Sequence, residues 1–150
     1  GRGTTRALEM IGHPSIKSFD FADKLNLQIK EWGLEGFIIR PCVFMPTFQK
    51  HAGIACGGMQ VHVTNPRTFL SWRFGQLLCR ALYSELGSEF KWNDQAYEYQ
   101  HDRLAIDFIN GTDKVRLWVE NSGDLKTLET LELAGREAYL DQRSNILLYS

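Results

Sequence analysis

A chain of 150 residues is the size of one domain and buries about 70% of the surface its unfolded form exposes, so a true hydrophobic core is within its reach. Its 43% hydrophobic and 23% charged residues, with 13 Gly and 4 Pro, exclude the disordered and fibrous classes. Seventeen Lys and Arg against 18 Asp and Glu leave a net charge of −1, which excludes the basic field that nucleic-acid binders use; no apolar run nears the roughly 18 to 20 residues of a membrane-spanning helix.

No signal-peptide pattern is visible, and the compartment is left open. Cys42, Cys56 and Cys79 are odd in number and spaced by 14 and 23, which suits neither a disulfide framework nor a CxxC zinc pattern. Without repeats or a Pro/Gly/Ser linker, the chain reads as a single domain.

Residues 1–17 read as irregular, opened by GRGTTR. Ser18 or Asp20 then caps a helix to about Trp32, with Phe21, Leu25, Ile29 and Trp32 on one stripe and Gly33 as its stop. The β-branched and aromatic run 37–45 predicts a strand, which Pro41 pushes to an edge position or a bulge. A loop over 46–58 ends in Gly57-Gly58, and the alternation over 59–64 predicts a half-buried strand with Gln60, His62 and Thr64 on its polar face.

Asn65-Pro66 predicts the cap and first residue of a long helix to Leu86, closed by Gly87. Residues 88–100 read as loop or short edge strand. Helices are expected over 113–120 and 124–143, with ILLYS packing back as a strand or extended tail. These elements predict an α+β fold, with a small mixed or antiparallel sheet packed against several helices.

Polar chemistry concentrates in two places. In GRGTTR, glycines permit close backbone approach while Arg2 and Arg6 offer planar, bidentate donors to a carboxylate or phosphate. From Phe37 to Asn65 there is no Asp or Glu, yet the stretch holds Arg40, Thr47, Gln49, Lys50, His51, Gln60 and His62, a composition suited to an anion or a hydroxyl-rich ligand. A zinc site from Cys42, His51, Cys56 and His62 lacks the usual local pairs, and a Cys56 nucleophile lacks a group to orient its base. Asp102 with Arg103 reads as a buried or half-buried pair that organises a loop, and Trp92 as the tryptophan left free by its loop context.

The opening GRGTTR followed by EMIGHP resembles GRGTTRPFELIGAP of the NamZ-like exo-β-N-acetylmuramidase family. PCVFMPTFQKHAGIACGGMQVHVTN similarly resembles its PVYFTPTFSKHAGELCGGVQIHVTD, and DRLAIDFINGTDKVR and ILLY fit its later part. Ala7-Leu8 stand where Pro-Phe is usual, and Cys42 replaces a common Val; neither departure removes a polar group.

The resemblance implies the C-terminal domain of a two-domain peptidoglycan glycosidase, with a Rossmann-like N-terminal domain of the same protein closing the cleft. It implies release of terminal N-acetylmuramic acid from peptidoglycan fragments in a periplasmic or secreted setting. Arg2, Thr4, Thr5 and Arg6 would form one lip, and Thr47, Lys50, His51, Gln60 and His62 the other. No catalytic residue, cofactor or metal is assigned to this chain. Glu9, the one acid near either lip, is weighed as a catalytic candidate against a structural role. The rival reading is a non-catalytic module that binds cell-wall fragments or another protein.

Overall fold

The computed structural model describes residues 1–97 and 99–149. The chain divides into two compact units, Gly1–Lys91 and Trp92–Ser150. In the first, the order is β1 (Met10–His13), α1 (Ser18–Glu31), β2 (Phe37–Phe44), β3 (Cys56–Val63) and α2 (Ser71–Leu86), followed by a 3-10 turn at Gly87–Glu89. The sheet is antiparallel throughout, in the order β1-β3-β2. With helices packed on such a sheet, the α+β expectation holds.

Pro41 does lie on an edge strand, opposite Met59, where a missing ladder donor is tolerated. The core forms where the apolar stripe of α1 (Phe21, Ala22, Leu25) meets Met59 and Val61 of β3 and the Phe74, Leu77 and Ala81 stripe of α2, all of them buried. Phe37 of β2 packs on Phe74 at 4.4 Å between ring centroids and on Phe69 at 4.9 Å. Trp32 is buried as expected, with the Arg80 guanidinium 4.9 Å above its ring.

Several boundaries differ from the sequence expectation. Residues 10–13 form a strand rather than irregular chain, because β3 offers them a partner edge, with Gly12 opposite Gly58. Gly57 and Gly58 lie inside β3, not in the preceding loop. A Cβ on Gly57 would fall on the Ile16 carbonyl oxygen, and one on Gly58 on that of Ile11, so only glycine lets these backbones close together. Ser18 does not cap α1. The cap position is Lys17, and the Ser18 hydroxyl instead donates to the Cys42 carbonyl at 2.8 Å and accepts from the Gly58 N–H at 3.0 Å, joining helix to sheet.

Asn65 caps a single turn, its carbonyl accepting from the Thr68 and Phe69 N–H groups, so α2 starts only at Ser71. Leu86 ends it, with Gly87 as the predicted stop. Irregular chain fills most of 88–100, with one bridge between Tyr97 and Gln100; Glu98, within that stretch, lies outside the described residues.

The second unit holds α3 (Ala105–Asn110), α4 (Lys114–Glu120), α5 (Leu125–Leu133) and α6 (Arg136–Ser144) around Ala105, Val115, Trp118, Val119 and Leu128. The short apolar run LAIDFI therefore opens a helix that its length did not announce. Asp124 caps α5 by accepting from the Thr127 N–H at 2.7 Å. One helix was expected over 124–143, but Ala134 leaves the helical region (ψ 122°) and Gly135 is left-handed (φ 76°), and this turn splits it in two. The tail does not pack back as expected. Ile146, Leu148 and Tyr149 are 76, 88 and 87% exposed, and Ser150 lies outside the described residues.

Candidate functional site

The buried faces just described leave the alternate positions of β2 and β3 on the opposite side of the sheet. Antiparallel register places Met10, Gln60 and Arg40 side by side, and Ile38 beside His62. Gln60 sits on the central strand and is only 8% exposed, so its amide must be satisfied by neighbours. It is: Nε2 donates to Glu9 Oε2 at 2.9 Å, and Oε1 accepts from Arg40 Nη2 at 2.7 Å. Glu9 also receives Arg6 Nη1 at 3.4 Å. One hydrogen-bonded chain thus runs Arg6, Glu9, Gln60, Arg40.

Glu9 is held below the usual carboxylate range, chiefly by the Gln60 hydrogen bond and further by Arg6. A general acid for glycoside cleavage needs the opposite shift. Its structural part is to fasten the opening segment to β3, which its own carbonyl extends by accepting from the Val61 N–H at 2.9 Å.

The two polar segments meet directly. Thr47 donates both its N–H (2.9 Å) and its hydroxyl (3.0 Å) to the Gly3 carbonyl, and Gly3 is buried with φ +89°. A Cβ there would strike the Phe48 carbonyl oxygen. Thr4 likewise spends its hydroxyl hydrogen on the Gly1 carbonyl at 2.6 Å and accepts from the Arg6 N–H. Of the expected site residues, Thr4 and Thr47 therefore shape the loops. Arg2, Thr5 and Lys50 are exposed and make no side-chain hydrogen bond or ion pair among the described residues.

Residues Gln49 and His51 both adopt left-handed φ, 69° and 59°. That turn brings the His51 ring edge-on to His13 at 4.7 Å between centroids, a pairing that sequence spacing gave no reason to expect. Burial, then His13 and Lys50, hold His51 below the ordinary imidazole range. His62 is half-buried, its Nε2 enclosed without a hydrogen-bond partner among the described residues.

The cysteines take no part. Cys56 is 1% exposed, its thiol points to the Ile54 carbonyl and is pushed up by burial, so it stays a thiol rather than a nucleophilic thiolate. Among the described residues no three His, Cys, Asp or Glu side chains gather as a metal-ion site.

In the second unit, Asp102 and Arg103 are 3.9 Å apart and largely exposed, so they are not the organising pair. That part falls to Asp107, which is buried and receives Arg116 Nε at 2.9 and 3.2 Å; Arg116 also reaches Glu120. Trp92 is not free either. It is half-buried and donates to Glu120 Oε1 at 2.9 Å.

Against known proteins, residues 1–149 match the family model described as exo-beta-N-acetylmuramidase NamZ, C-terminal. The chain is 28% identical over 149 residues to the peptidoglycan beta-N-acetylmuramidase NamZ of Bacillus subtilis strain 168, covering 99% of this chain and 33% of that protein. A crystal structure of a DUF1343 family protein from Bacteroides fragilis NCTC 9343 superposes with a TM-score of 0.76 at 17% identity, over 99% of this chain and 37% of that one. The chain thus spans about a third of the length of the relatives it matches. With residues 1–149 matched to the family model, this chain belongs to the family of NamZ exo-β-N-acetylmuramidase C-terminal domains.

Proposed function

We propose that this chain is the substrate-binding part of an exo-acting β-N-acetylmuramidase, which releases terminal N-acetylmuramic acid from peptidoglycan fragments in a cleft shared with an N-terminal domain of the same protein. One observation carries the reading. The polar surface around β2, β3 and the 46–55 loop is cationic and without acids, and the one carboxylate beside it, Glu9, is engaged at both oxygens and held ionised.

Glycoside hydrolysis ordinarily takes two carboxyl groups, one of them a proton donor with a raised pKa. Such a surface suits a sugar that brings its own negative charge, as the lactyl carboxylate of muramic acid does, and leaves the acid to the other domain. Arg2, Thr5, Arg6, Lys50, His51 and His62 are the side chains offered to the sugar; Thr4, Thr47 and Gln60 hold them in place.

The test is turnover of a chromogenic N-acetylmuramic acid glycoside by the full-length protein and by residues 1–150 alone. The full-length protein is expected to turn over and the isolated chain not to. Activity in the short chain would place the acid here and overturn the division of labour. Sugar binding without turnover by the full-length protein would instead establish a non-catalytic module.

A further inference from the structure

Arg6 and Arg40 stand at the two ends of the chain that passes through Glu9 and Gln60, but in different electrostatic company. Arg6 faces a carboxylate, which offsets its charge. Arg40 faces the neutral amide oxygen of Gln60 and has no carboxylate partner among the described residues. Its guanidinium carries five N–H donors, of which Gln60 uses one.

The Gln60 amide is also fixed in orientation. Flipped, it would set its NH2 against a guanidinium and its oxygen against a carboxylate, so the Glu9 contact decides which end Arg40 meets. Lys50, by comparison, carries its charge on a flexible stem in an exposed loop and must be ordered on binding.

Building on the function proposed above, we infer that Arg40, aimed by Gln60, is the residue of this chain that reads the sugar's carboxylate, ahead of Arg6 and Lys50. Arg40 would contact the carboxylate by a bidentate pair, and Gln60 is a positioning residue that acts through it.

The experiment uses the full-length protein, titrated calorimetrically with N-acetylmuramic acid and with N-acetylglucosamine, alongside turnover of the two chromogenic glycosides. Arg40→Ala is expected to lower affinity and kcat/KM for the muramic sugar by about 10- to 150-fold, with the loss confined to the carboxylate-bearing sugar. Arg40→Lys keeps the charge without the fork and should lose part of the preference, which also provides a reading if Arg40→Ala fails to fold. Gln60→Leu should raise KM for the muramic sugar with kcat little changed, whereas a purely structural role would weaken both sugars alike.

Equal losses on both sugars, no loss, or a selective loss appearing in Arg6→Ala or Lys50→Ala but not in Arg40→Ala would each overturn the assignment. Should the wild type bind the muramic sugar selectively through Arg40 yet turn nothing over, the assignment stands and the glycosidase reading falls. Turnover with selectivity intact in Arg40→Ala sinks the assignment alone. A wild type with no preference between the sugars sinks it as well.

Discussion

The carbonyl oxygen of Gly3 accepts two hydrogen bonds from Thr47, one from the backbone N–H and one from the hydroxyl, and so ties the opening turn to the loop between β2 and β3. Thr47→Val, which removes only the hydroxyl bond, should cost about 1 kcal/mol. Gly3→Ala meets both a left-handed φ and the Phe48 carbonyl, and about 1 to 3 kcal/mol of backbone strain alone is expected. Thermal melting and amide exchange over 46–54 measure both. A neutral Gly3→Ala would show that the opening turn is not held in this conformation in solution.

The same loop should loosen in acid. His51 is lowered by burial first, then by His13 and Lys50, so the unfolded chain, near the ordinary value of 6.5, takes up the proton before the folded one. Stability from the neutral ring is complete above about 6.5 and is lost as pH falls from there through the folded value. Protection of the amides over 46–54, taken relative to their intrinsic exchange rate at each pH, is expected to fall between pH 7.5 and 5.5. His51→Asn, whose side chain tolerates the left-handed φ of 59°, should flatten that step; an unchanged step would assign it to another group.

All three thiols are free, and burial pushes that of Cys79 to about 11. Reductant should leave the melting temperature unchanged, and a thiol reagent at pH 8 should react slowly with the folded chain and fully with the unfolded one. A melting temperature that drops by more than a few degrees on reduction would reveal a disulfide that matters to folding.

In the second unit the buried Asp107 is matched by Arg116 and, through it, Glu120. Asp107→Ala leaves that guanidinium without its nearest carboxylate and is expected to cost about 3 kcal/mol, the lower end for breaking such a pair, because Arg116 keeps Glu120 and some solvent. Denaturant unfolding gives the number. A cost under about 1 kcal/mol would mean the pair is no more than a surface ion pair.

Strong periodicity was legible in the chain. The α1 stripe, the existence of a strand over 59–64 (found as Cys56–Val63, with Gln60 buried rather than on an open polar face) and the edge placement implied by Pro41 follow from side-chain pattern. Features set by long-range approach were not. β1 is a strand because β3 lies beside it, Gly57-Gly58 carry no side-chain signal for the strand they belong to, and the Ser18 hydroxyl found distant backbone partners instead of its own helix.

The same division runs through the site. Residue types pointed to an acid-free, cationic surface, while the connection of Arg40 to Glu9 through Gln60 depends on the register of β2 on β3, which no local pattern encodes. Asp102-Arg103 misled because neighbours in sequence looked like a pair; the partners that do pair, Asp107 and Arg116, lie nine positions apart across helix and turn.

The crowding at Gly57 and Gly58 bears on how this surface can change in evolution. Those two positions answer to the carbonyls of Ile16 and Ile11, not to any ligand, so a side chain there is selected against whatever the protein binds. Lys50 and Thr5 are exposed and make no side-chain hydrogen bond among the described residues, so they are free to drift with substrate. Two descendants of one ancestor can therefore keep the same glycine signature and still part company over which sugar they accept.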